Sequence, residues 1–95
     1  MAYLLDKTVF LEDFIEGDDS VMFRARANVD EVNNVLSRVY ACEPELLERE
    51  MNFHHYNFGN VEVRYWTNGT LSARLKSEPE YLERIKSHVV KIRGI

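Results

Sequence analysis

Val61–Lys76 reads VEVRYWTNGTLSARLK, two alternating runs around Asn68-Gly69, and that pattern specifies a β-hairpin. The side chains themselves discriminate between registers. A two-residue loop at Asn68-Gly69 sets Trp66 opposite Leu71 and Tyr65 opposite Ser72, which mixes apolar and polar residues on both faces. A three-residue loop, Thr67-Asn68-Gly69, sets Trp66 opposite Thr70, Tyr65 opposite Leu71, Val63 opposite Ala73 and Val61 opposite Leu75. One face is then Val61, Val63, Tyr65, Leu71, Ala73 and Leu75. The other is Glu62, Arg64, Trp66, Thr70, Ser72 and Arg74, with Lys76 at the end. A slip of one residue moves a whole strand to the other face, so the clean separation selects the longer loop. Gly69 takes the left-handed position of a type I turn with a G1 bulge, where a Cβ would be strained. Glu62 and Arg74 are expected to form a cross-strand pair of opposite charge.

Outside the hairpin, alternation continues in Val21–Ala27, where Val21, Phe23, Ala25 and Ala27 alternate with Met22, Arg24 and Arg26. The acidic spacer Glu16-Gly17-Asp18-Asp19 joins this run to Thr8–Ile15, so the two read as a second hairpin; TVFLEDFI also admits a short helical turn. Val29–Tyr40 carries the clearest helical period: Val29, Val32, Val35, Leu36, Val39 and Tyr40 share one face. Asn28 precedes it as N-cap, with Glu31 placed for a capping box. Its four valines have low helix propensity, so burial of the stripe must supply much of its stability. Pro44 suits the first turn of a short helix over Glu45–Glu50. Met51–Tyr56 reads as a strand, and Asn57–Asn60 as a turn into the Val61–Lys76 hairpin. A last helix is expected over Glu78–Arg93, opened by the Ser77/Glu80 capping pattern with Pro79 in its first turn and ended at Gly94. Tyr81, Leu82, Ile85, Val89 and Ile92 form its stripe.

The order of elements implies an α+β fold: one compact domain spanning residues 1–95, with an antiparallel sheet of about four to five strands and two main helices, Val29–Tyr40 and Glu78–Arg93, packed on one face. The opposite face is left for solvent or a partner. A chain of 95 residues with 45% hydrophobic content builds one modest core. Five Tyr, five Phe and one Trp are too many aromatics for a disordered chain.

A net charge of −4 opposes nucleic-acid binding by the surface as a whole, which ordinarily carries a basic footprint. Cys42 is the only cysteine, which excludes an intrachain disulfide and fits a reducing compartment. No apolar run has the length of a membrane span, and MAYLLDKT is too short and too soon interrupted by Asp6 for a signal peptide. A cytoplasmic location and no membrane partner are therefore expected.

The chain shows no catalytic signature, metal motif or phosphate loop, so no catalytic residue, metal or cofactor is expected. Trp66, with Arg64, Arg74 and Lys76 on the polar hairpin face, is the leading binding candidate. Trp and Arg combine large contact area with directed polar groups, the chemistry enriched at protein hot spots; the same chemistry can stack a base and hold a phosphate. The competing expectation is that Trp66 is covered by the N-terminal segment or is an isolated surface aromatic. Glu12, Asp13, Glu16, Asp18 and Asp19 form an acidic cluster, and Glu43, Glu45, Glu48 and Glu50 a second. Solvated loop and helix faces account for both; a carboxylate surface steering onto a basic cleft of a partner is the functional alternative. Asp18 and Asp19 lack the rest of a calcium loop. His54 and His55 with Tyr56 invite metal or acid–base chemistry, but neighbours in a strand point to opposite faces and cannot readily share one ion. Cys42 has neither a base nor an oxyanion site nearby in sequence and reads as a small apolar residue.

The leading functional reading is a small non-enzymatic protein-interaction module. Its size and acidity are similar to those of small phage or mobile-element regulators and inhibitors, a similarity that no motif carries. A nucleic-acid-binding sheet using Trp66, Arg64 and Arg74 ranks second, and a small enzyme with His54 or His55 as acid–base third. Homodimerisation through an exposed strand edge or the Trp66 face fits each of them.

Overall fold

Two alternating strands that lie far apart in sequence, Ser20–Ala25 and Leu71–Lys76, pair antiparallel at the heart of the structure. The computed structural model describes residues 2–93. In chain order its elements are β1 (Ala2–Leu5), β2 (Val9–Glu16), β3 (Ser20–Ala25), α1 (Val29–Tyr40), β4 (Glu45–Glu50), β5 (Phe53–Phe58), β6 (Val61–Trp66), β7 (Leu71–Lys76), α2 (Pro79–Ser87) and β8 (Val89–Ile92). The strands form one sheet in the order β4-β5-β6-β7-β3-β2-β1-β8, and every pairing is antiparallel.

The α+β class stands, but the strand number does not: the sheet has eight strands rather than four to five. Three of the additions escaped the periodicity argument for separate reasons. β1 is only four residues long and joins β2 through a tight turn. β4 occupies the segment expected as a short helix. All six of its residues are exposed, so it shows no alternation, and its pairing with β5 sets its conformation. β8 replaces the end of the expected second helix. That helix stops at Ser87, and Val89–Ile92 pairs with β1. Adjacent β-branched Val89 and Val90 favour a strand, and the His88 carbonyl accepts a 2.7 Å bond from the Asp6 amide. Gly94, expected to end the helix, lies outside the described residues.

The expected inside and outside of the Val61–Lys76 hairpin are kept, but its register is not. Trp66 pairs with Ser72, Tyr65 with Ala73, Arg64 with Arg74 and Glu62 with Lys76. Relative to the expected register, each partner lies two residues further on, and a shift of two preserves the face of every side chain. The turn is wider because the Thr67 amide donates to the Asn52 carbonyl on the β5 side (3.0 Å) rather than closing across to Thr70. Gly69 still has positive φ, +91°. The expected Glu62–Arg74 pair does not form.

Val21, Phe23 and Ala25 of β3, Leu71, Ala73 and Leu75 of β7, Val61, Val63 and Tyr65 of β6 and Leu5, Val9 and Leu11 of β1 and β2 are buried on one sheet face. The stripe of α1 (Val29, Val32, Val35, Leu36, Tyr40) and Leu82 and Ile85 of α2 close over them in the same core. Helix α1 begins as expected: the Asn28 side chain accepts from the Glu31 amide at 2.8 Å, and Glu31 accepts from the Asn28 amide at 3.3 Å. The Ser77 pattern of α2 does not cap; Glu78 is the N-cap residue without a side-chain bond, and Ser77 Oγ instead donates to the Asn60 carbonyl at 3.2 Å. Two tyrosines tie helix to sheet and helix to helix. The Tyr65 hydroxyl donates to Asn33 Oδ1 (2.7 Å), and the Tyr40 hydroxyl to the Tyr81 carbonyl (3.1 Å). Burial pushes the Tyr40 phenol up to about 12 and raises that of Tyr65 as well.

Candidate sheet-face binding site

Covering one sheet face with helices leaves the side chains of opposite parity on the other. Paired residues share a face, so the registers define two rows across this open face. One row is Glu50–Phe53–Trp66–Ser72–Arg24–Asp13 and the next Glu48–His55–Arg64–Arg74–Met22–Ile15.

Trp66 is 39% exposed, and the N-terminal strand β1 lies four strands away from it in the sheet. Its ring meets Phe53 at a tilt of 56°, centroids 5.6 Å apart, and part of its surface stays exposed. Across Ser72 stand Met22 (47% exposed) and Ile15 (62%). Between these walls lies a hollow of about 200 Å³, lined by Trp66, Ser72, Met22, Ile15, Arg24 and Asp13. The small Ser72 leaves this gap, and backbone at Phe23 and Ala73, whose side chains belong to the core, contributes to the lining. Sequence reasoning found Trp66 but missed Met22, Ile15 and Phe53. Alternation placed Met22 on the polar side; only the strand order reveals that it stands across from Trp66.

Arg64 and Arg74 sit directly opposite one another. Like charges in that position repel, and among the described residues neither makes an ion pair. Lys76 lies at the end of the same face opposite Glu62. Arg24 and Arg26 do not extend this cationic patch as free charges: Arg24 pairs with Asp13, and Arg26 with Glu12 at 2.7 Å while its guanidinium covers Phe10. Those contacts also dissolve the first acidic cluster as a unit. Glu12 and Asp13 are paired on the open face, whereas Glu16 reaches Lys86 of α2 at 2.8 Å. Glu16 and Glu83 together hold the Lys86 ammonium above its usual range. Asp18 and Asp19 lie in the β2–β3 turn, where the Asp19 carbonyl accepts from the Ser77 amide at 3.0 Å.

The histidines occupy opposite faces. His54 pairs with Tyr65 on the helix side and lies parallel to Tyr56, centroids 6.4 Å apart; His55 pairs with Arg64 on the open side. His55 Nε2 is 3.2 Å from Glu62 Oε1, near enough for an ion pair when protonated but not aligned as a hydrogen bond. Among the described residues no group of three or more His, Cys, Asp or Glu is placed to hold a metal. Cys42 is a free thiol packed against the core. A larger hollow, about 460 Å³, opens on the helix side between the start of α1 and the β4–β5 corner. It juxtaposes Arg49 with Asp30 and His54 with Tyr56, and Asn28 at its rim is already engaged in capping.

Comparison of the chain with family models, curated proteins and solved structures finds no match. No helix among the described residues is long and apolar enough to cross a membrane.

Proposed function

We propose that the protein is a small non-enzymatic interaction module that binds a partner protein on the open sheet face. The observation that carries this reading is the hollow between Trp66 and the Met22/Ile15 pair. Three large apolar side chains stand exposed around a gap of side-chain size, at the centre of a face that no element among the described residues covers. Trp66 is the anchor, with its orientation fixed by Phe53; Arg64 and Arg74 orient the partner. A regulator or inhibitor role of the kind small phage and mobile-element proteins play fits a module whose surface binds and does no chemistry. The single free thiol at Cys42 supports a reducing, cytoplasmic setting.

Affinity capture from the native cell tests the assignment when wild type is compared with Trp66→Ala and with Ser72→Arg, which fills the hollow without touching the core. A specific partner should be lost with both variants. A partner retained equally by all three forms overturns the assignment.

The Phe53–Trp66 pair beside two arginines favours one second reading, a single-stranded oligonucleotide stacked on the same face. Binding of that kind weakens steeply as salt rises, and an absence of oligonucleotide binding at low salt removes it.

A further inference from the structure

The arrangement of charge on the open face says what kind of partner it takes, given the reading above that the face binds one. Arg64 and Arg74 stand as a paired cation at the centre of the face, in no ion pair among the described residues, one row from the hollow beside Trp66. Carboxylates surround them: Glu48 beyond His55, Glu50 beyond Phe53, Asp13 beyond Arg24, and Glu62 two residues before Arg64 in its own strand. The cation is therefore local. A long polyanion crossing it meets Glu48 and Glu50 on the β4 side, whereas a short acidic group can stay on the arginines. A second copy of the chain centred on this patch fits no better, since a twofold axis through it brings arginine pair against arginine pair.

We infer that the occupant is a short acidic segment of a partner protein, carrying one large apolar side chain for the hollow and neighbouring carboxylates for Arg64 and Arg74. The apolar side chain enters between Trp66 and the Met22/Ile15 wall, over Ser72. The carboxylates accept from the two guanidiniums, converting their mutual repulsion into a shared attraction. Such charge matching sets orientation and selects among partners that could all fill the hollow.

A random peptide library selected on the immobilised full chain, and in parallel on Trp66→Ala and Arg64→Gln/Arg74→Gln, tests this directly. Wild type should enrich peptides with a Phe, Leu or Trp flanked by Glu or Asp. Replacing those acids by Gln or Asn should weaken binding on the order of tenfold, followed through emission from Trp66, the only tryptophan in the chain. The double arginine variant removes a repulsive pair, so it should fold as wild type does by circular dichroism while losing the acidic preference. Peptides that need Trp66 but show no preference for acids overturn this inference and leave the binding face standing. Peptides indifferent to both sets of substitutions, or no enrichment at all, overturn both. Tighter binding of a dT oligonucleotide than of the selected peptides, or a doubled mass by light scattering that Trp66→Ala abolishes, likewise overturns the acidic-segment assignment.

Discussion

Tyr65 has no exposed surface and Asn33 is 6% exposed, yet each carries a polar group into the core. Their 2.7 Å bond satisfies both at once. Half of this pair was legible: alternation puts Tyr65 inside. Asn33 was not, because its type suggests solvent and only the packing of α1 onto β6 buries it. Removing the hydroxyl leaves Asn33 Oδ1 buried without a donor, which costs about 1–3 kcal/mol. Tyr65→Phe should therefore lower the urea midpoint, and Tyr65→Phe/Asn33→Leu should recover part of the loss; equal midpoints for wild type and Tyr65→Phe refute the account. The same burial has a consequence at high pH. Both tyrosines are held neutral, with Tyr40 raised from 10.0 to about 12 and Tyr65 raised too. In the unfolded chain they ionise near the ordinary value, so above it the unfolded state binds fewer protons than the native state and stability falls as pH rises. Stability against urea should stay level with respect to these groups below pH 10 and decline between pH 10 and 12. In Tyr40→Phe that decline should be shallower.

Turns and edges decide which elements could be read. Helix α1 was legible to the residue because cap, period and burial agree. For β4, ELLERE has good helix formers and no alternation, and a strand exposed on both sides has no reason to alternate. The β1–β2 turn was missed because its two left-handed residues are Asp6 and Lys7, with φ of +53° and +61°, rather than glycines. Asp6 has a reason to stay: its carboxylate meets Arg38 at 3.1 Å and lies 3.5 Å from His88 Nδ1. Lys7 is exposed and makes no ion pair among the described residues. A left-handed conformation costs a residue with a Cβ about 1–2 kcal/mol, and the greater freedom of glycine in the unfolded chain offsets part of that. Lys7→Gly should therefore stabilise the fold by roughly 0.5–1 kcal/mol. Thermal melts of Lys7→Gly and Lys7→Ala separate this from loss of the lysine charge, since only the glycine variant should melt higher than wild type.

Across the whole molecule, burial is graded along the sheet. β3 and β7 lie in the middle, each with three buried side chains under the helices, and β6 beside them has three more. At one end β4 buries none of its residues; at the other β8 buries none of its four. The sheet centre also joins the two halves of the chain, because β3 pairs with β7 across the intervening helix and three strands. Local opening follows apolar burial, so β4 and β8 should open without disturbing the centre, whereas β3 and β7 should open only with global unfolding. In native-state hydrogen exchange, inward-bonded amides of β4 and β8 should exchange fastest among the strand amides, and those of β3 and β7 at the rate set by global stability. The open face inherits this order. Trp66, Ser72 and Met22 stand on β6, β7 and β3, so the hollow is built on the strands expected to open least. Exchange in β3 and β7 as fast as in β4 contradicts that view; protection at Met22 and Ser72 equal to global stability is the expected result.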